Sequence, residues 1–179
     1  MKRVMLLAGL FCGVLSVLTA ETAVTIDTAL SDAVDRLTDS IPERSTIAVL
    51  SIKAENVAIS NYVLEGLLAL LVNGRKFVVV DRSNLDLIRQ EENLQLGGEI
   101  SDESAQRIGH KLAAQMIIFG SMKRIGNYYH LQVRALEVET TQIQGEFFTA
   151  DVLRDDKLKE VERTAQPKNW IYLGARVGL

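Results

Sequence analysis

Two short apolar runs, Thr46 to Ile52 and Phe77 to Val80, limit the folds open to this chain more than any other feature of its 179 residues. Thr46-Ile47-Ala48-Val49-Leu50-Ser51-Ile52 is β-branched and nearly continuous, and Phe77-Val78-Val79-Val80 shows neither helical period nor alternation. Runs of this kind are the sequence form of short strands buried on both faces. Between them Ile59, Val63, Leu67, Leu70 and Leu71 recur at steps of three and four, which predicts a helix of about four turns at ~3.6 residues per turn. Asn73-Gly74 ends it, because glycine takes the left-handed conformation that closes a helix. Strand, helix and strand at this spacing form a right-handed crossover between parallel strands. The Phe77 strand is expected at the centre of the sheet.

That run stops at Asp81-Arg82, and Ser83 with Asp86 three residues on gives the Ser-x-x-acid pattern of a helix start. A buried strand thus hands the chain to a helix at Asp81-Arg82. Asn93 to Ile100, with Gly97-Gly98, reads as a loop. Ser101 followed by Asp102 and Glu103 begins the next helix, since a hydroxyl cap and acidic residues suit the positive end of the helix dipole. Ala105, Ile108, Leu112 and Ala113 form its expected buried stripe, with His110 on the solvated side.

The remainder reads as antiparallel strands. Gln115 to Ile125 contains the buried run Met116-Ile117-Ile118-Phe119-Gly120-Ser121, and Gly126-Asn127 is a two-residue hairpin signal. Tyr129, Leu131, Val133 and Ala135 alternate with His130, Gln132 and Arg134, a strand with one wet face that includes His130. Thr140-Thr141 connects to a last strand in which Ile143, Gly145 and Phe147 alternate with polar residues. Ahead of all this, Ile26, Leu30, Ala33, Val34, Leu37 and Ile41 line one face of an amphipathic helix whose other face carries Asp32, Asp35, Arg36 and Asp39. Pro42 ends that helix. The acidic face would not be drawn to anionic lipid, so the helix is expected to cover its own domain's sheet. The fold class is α/β: a mixed sheet with a parallel βαβ start and a C-terminal antiparallel meander, with helices packed on the sheet.

At the N-terminus, Lys2-Arg3, the apolar run Val4 to Leu18 and Thr19-Ala20-Glu21 have the layout of a secretory signal peptide, with cleavage after Ala20 and Ala23 as the alternative. The run is short for a membrane span. Cys12 is the sole cysteine and follows Phe11, the wrong shape for a lipoprotein signal. Cleavage leaves no thiol or disulfide chemistry. It also removes two cations from a chain of formal charge -3, and a net acidic domain without a basic run argues against nucleic acid as partner. The expected location is the periplasm or the periplasmic face of the outer membrane.

A family resemblance rests on the order and spacing of several pieces: Ile47-Ala48-Val49-Leu50, Ser60-Asn61-Tyr62-Val63, Phe77 to Arg82 with Leu85 and Glu91 or Glu92, Ile108-Gly109 with Ala113, and Ile117 to Ser121. From about Ile41 to Thr149 the chain resembles the periplasmic α/β domain of the CsgG/HfaB family. That family includes curli-type secretion channels, and its relative LpoB, an envelope lipoprotein, activates a penicillin-binding protein. The resemblance implies a non-enzymatic envelope component acting through protein contacts in assembly or secretion, with self-association into a ring; docking onto a peptidoglycan synthase is the alternative. Channel formation does not carry over. Cys12 does not fit the family's lipid-anchored cysteine, and the connections from Ile52 to Ile59 and from Arg82 to Ser101 are too short to hold two hairpins of the ~9–11 residue strands a bilayer requires.

After a charged, helix-compatible stretch from Asp151 to Ala165, Trp170 to Leu179 alternates strictly. Ile171, Leu173, Ala175, Val177 and Leu179 share one side, and Tyr172, Gly174, Arg176 and Gly178 the other, similar to the first strand of an outer-membrane barrel. One strand cannot close a barrel. A continuing gene, pairing with another chain and an edge of this domain's sheet all remain open. The expected segments are a signal peptide at 1–20, an amphipathic helix at 21–42, the α/β domain at 43–150, a charged helical linker at 151–169 and a single strand at 170–179.

There is no Cys/His pair, phosphate-cradling glycine loop or Gly-x-Ser-x-Gly elbow. The sequence therefore nominates no catalytic, cofactor or metal residues and no small-molecule substrate. Its candidate partner contacts are Asp81, Arg82, Trp170 and Tyr172.

Overall fold

A computed structural model describes residues 23–91, 101–140 and 143–164. In chain order the elements are α1 (Ile26–Ser40), β1 (Thr46–Ala54), α2 (Val57–Gly74), β2 (Val78–Val79), α3 (Arg82–Glu91), α4 (Asp102–Lys111), β3 (Met116–Ile125), β4 (Tyr128–Glu137), β5 (Ile143–Leu153) and α5 (Asp156–Thr164). The strands form one sheet in the order β2-β1-β3-β4-β5. β1 is parallel to both β2 and β3, and β3, β4 and β5 are antiparallel.

The helices begin where side chains satisfy their free amides. The Thr25 hydroxyl accepts from the Thr28 N–H at 3.3 Å, Asn56 Oδ1 from Ala58 N–H at 2.8 Å, and Asp155 Oδ1 from Leu158 N–H at 2.9 Å. Ile26, Ala29, Leu30, Ala33 and Leu37 of α1, with Ile59, Val63, Leu67 and Leu71 of α2 and Leu158 of α5, bury themselves against Ile47, Ile52, Ile118, Leu131 and Val133 on one side of the sheet. On the other side Leu85, Ala105 and Ile108 of α3 and α4 cover Ala48, Leu50, Ile117, Phe119 and Leu136. Gly126, at φ +60°, makes the tight turn that sets Ile125 opposite Tyr128.

Five sequence expectations need correction. Gly74 does not take the left-handed conformation that closes α2: it is the last helical residue, and Arg75 after it stands at φ 53°. The Phe77–Val80 run is an edge, not the centre: β2 pairs only with β1, is two residues long, and leaves Val78 56% exposed. The centre is β3, which pairs along its length with β1 on one side and β4 on the other; a run of β-branched residues satisfies an edge equally well when only Phe77, Val79 and Val80 turn toward helices. The cap of α3 is Asp81, whose carboxylate reaches Ser83 N–H at 2.8 Å, so the helix starts ahead of Ser83. Ala113 is exposed at φ +50° just beyond the end of α4, and Gly109 takes its place in the buried stripe. Asp151 lies in β5, which runs on to Leu153, because Val152 belongs to the core and Asp155 delays the helix to Asp156.

Candidate partner-contact surface

Asp81 and Arg82 stand where β2 hands over to α3. Asp81 is exposed; its Oδ1 accepts from the Ser83 N–H and from the Ser83 hydroxyl, both at 2.8 Å. These hydrogen bonds, the backbone one first, hold its carboxyl below the usual carboxylate range. Its charge is thus committed in part to the helix start. Because β2 ends at Val79 while β1 continues to Ala54, a gap opens beside β1. There Val49, Leu68, Val72, Val80, Asp81 and Leu85 line an open groove of about 340 Å³, apolar apart from Asp81 at its rim. Arg82 is the first residue of α3. Trp170 and Tyr172 lie outside the described residues, as do the segments expected from the sequence to be a signal peptide with Cys12 and a Gly97-Gly98 loop.

A larger surface lies on the α3–α4 side of the sheet. Those two helices cover one part of that face, and among the described residues nothing covers the part nearest the β3–β4 hairpin. The register builds it in rows. Ile125, Tyr128 and Leu153 stand side by side on β3, β4 and β5, with Ile125 46% and Leu153 44% exposed. Lys123, His130 and Asp151 form the next row, and Lys53, Ser121, Gln132 and Thr149 the one after it, reaching across to β1. His130 Nδ1 and Asp151 Oδ1 are 2.9 Å apart. Arg134 closes the surface on the helical side, its guanidinium 4.3 Å from the Phe119 ring centre and 3.5 Å from Asp102. An apolar row at one end with polar and cationic rows behind it has the make-up of a protein-binding patch, in which apolar anchors supply affinity and a polar rim supplies register.

The wet face of β4 was readable as the alternation of His130, Gln132 and Arg134. Sequence reasoning missed Asp151, Lys123 and the Ile125–Tyr128–Leu153 row. The alternation of Thr149 and Asp151 with Ala150 and Val152 carried the signal, masked by the charged stretch that follows. His110 is exposed on α4, as expected. Among the described residues no group of three His, Cys, Asp or Glu is placed to hold a metal ion.

The fold and this face define a class: a mixed-sheet α/β module with one side sealed by helices and the other partly open. Residues 44–129 match the family described as "Curli production assembly/transport component CsgG", so that stretch is similar to a family of cell-envelope proteins. Among solved structures it is similar to the LpoB C-terminal domain from Salmonella enterica, at 21% identity and a TM-score of 0.58, with 73% of this chain and 96% of that one covered. It is similar also to the LpoB C-terminal domain from Escherichia coli, at 20% identity and a TM-score of 0.60, covering 71% and 97%. The NMR structure of Escherichia coli LpoB aligns at 16% identity and a TM-score of 0.56, covering 84% and 80%. At these identities the likeness is one of fold. No curated protein matches the sequence.

Proposed function

We propose that the chain is a non-enzymatic component of outer-membrane assembly or secretion, exported to the periplasm, that works by holding another envelope protein on the uncovered β3–β4–β5 face. The observation that carries this reading is the Ile125–Tyr128–Leu153 row beside Lys123, His130 and Asp151: an apolar anchor line with a polar field, left open beside a sealed core. The CsgG-family match supports the secretion setting. Asp81, Arg82, Trp170 and Tyr172 are proposed as secondary contacts, and ring assembly and outer-membrane association belong to the same reading.

A second reading, an activator that docks onto a peptidoglycan synthase in the manner implied by the LpoB resemblance, is favoured by the near-complete coverage of the LpoB C-terminal domains. Both readings use the same face and differ in assembly. Light scattering after gel filtration, with and without detergent, separates them: a closed ring of many subunits supports secretion, and a mass of one or two chains supports docking. A photo-crosslinker at Gln132 is expected to capture an envelope protein in cells, whereas one at Asp32, on the far side of the molecule, is not. Equal labelling from both positions, or none from Gln132, removes this face from consideration.

A further inference from the structure

β2 ends the sheet, with no strand beyond it among the described residues. The Val78 N–H donates to the Ser45 carbonyl at 3.0 Å and the Val80 N–H to the Ile47 carbonyl at 2.9 Å, so both amides point inward at β1. Alternation turns the N–H and C=O groups of Phe77 and Val79 outward. Beside this free edge Val72 and Val78 are each more than half exposed. An open strand edge flanked by apolar side chains is a template for another strand, and the charge pattern selects which one. Arg75-Lys76 precedes the apolar Phe77-Val78-Val79-Val80, and Asp81 follows it. The stretch is therefore cationic at one end, anionic at the other and uncharged between.

We propose that two copies of this chain associate through β2, antiparallel and two-fold symmetric about Val78. In this register Val78 meets the partner's Val78, and Phe77 exchanges backbone hydrogen bonds with the partner's Val79. The Arg75-Lys76 end of each copy then lies toward the partner's Asp81 end, and the symmetry repeats each contact. A parallel pairing would bring the two cationic ends together and the two Asp81 ends together, which is unfavourable. Lys76 keeps its own partner, Glu43, at 2.5 Å. The contact is isologous and closes at two subunits. A strand pair this short falls below the ~1,200 Å² of standard stable interfaces, so the dimer forms in a concentration-dependent way. It lies on a different part of the sheet from the β3–β4–β5 face and rests on the docking reading, in which the mass is one or two chains.

The test is sedimentation of the purified chain over a wide concentration range, where the mass is expected to double. Val78→Lys should leave a monomer at every concentration with an unchanged urea midpoint, because Val78 is already solvent-facing. Mixing Val78→Lys with Val78→Glu should restore the dimer through opposite charges at the axis. In a Cys12→Ser background, Val78→Cys should cross-link under mild oxidation, and Val57→Cys, a still more exposed valine at the start of α2, should not. A wild-type chain that stays monomeric, a Val78→Lys chain that dimerises normally, or cross-linking as fast through Val57→Cys as through Val78→Cys would each overturn the proposal.

Discussion

The Tyr129 hydroxyl on β4 donates to the Glu162 carboxylate on α5, and Arg154, one residue past β5, grips the same carboxylate with Nε at 3.0 Å and Nη2 at 2.6 Å. The backbone carbonyl of Glu162 accepts from Asn56 Nδ2, at the head of α2, at 3.3 Å. One residue thus ties α5 to the sheet, to the exit of β5 and to α2.

This corner predicts how stability depends on pH. The bidentate hydrogen bonds from Arg154 depress the Glu162 carboxyl from 4.5 to about 2, against a smaller opposing effect of burial. A depressed acid contributes stability that is complete above its unfolded value and is lost as pH falls through its folded one. Urea midpoints should therefore fall between about pH 4.5 and pH 2. Burial, with the nearby Glu162, raises the Tyr129 phenol to about 12, so its contribution is present below pH 10 and is lost as pH rises through 12. Glu162→Gln should cost about 1–3 kcal/mol at neutral pH and flatten the acid limb. An acid limb equally steep in that variant would assign it to other carboxylates.

Two glycines should respond oppositely to alanine. A Cβ on Gly120 would stand 2.1 Å from the Gln132 carbonyl oxygen, an atom fixed by the β3–β4 ladder. Gly120→Ala should lose about 3 kcal/mol or fail to fold. Gly74, the last residue of α2, has nothing within 4 Å of that position, and Gly74→Ala should gain about 0.5 kcal/mol by restricting the unfolded chain. Equal melting temperatures for the two variants would contradict this.

Arg75 caps α2 in the left-handed region at φ 53°, where a side chain costs about 1–2 kcal/mol that glycine avoids. Arg75→Gly should raise the unfolding free energy by about 1 kcal/mol and also weaken self-association, because a cation is lost from the end of the stretch that lies toward the partner's Asp81. Stability and dimer affinity moving in opposite directions is the signature to look for.

Leu158 is fully buried and pins α5 to α2 and the sheet. Leu158→Ala should cost about 2–5 kcal/mol. Hydrogen exchange in that variant should rise first in α5, ahead of β1 and β3.

Much of the fold was legible because burial imposes periodicity. The α1 stripe, the α2 crossover, the Gly126-Asn127 turn and the alternation of β4 each left a pattern that the sheet and its helices honour. What the pattern lacked was strand order. Phe77 to Val80 looks the same in the middle of a sheet as at its margin, and only the pairing of β1 with β3, residues far apart in the chain, decides. The capping role of Asp81 was hidden because Ser83 offers an equally good hydroxyl, and geometry chose the carboxylate. The uncovered face was half visible, since wetness shows in alternation but the neighbours across strands do not. Asp151 reached that face only because the strand outlasted its apolar signal.

Ahead of α1, Val24 bridges β5 in parallel: its N–H donates to the Asp151 carbonyl at 2.8 Å and its carbonyl accepts from Leu153 N–H at 2.8 Å. A few ångströms on, Lys157 of α5 holds Asp27 at 2.7 Å. Any tension arriving through residue 23 must part these bonds before it can peel α1 from the core. The bridge therefore works as strain relief, letting the module be tugged by its N-terminal side while β3, β4 and β5 keep their shape.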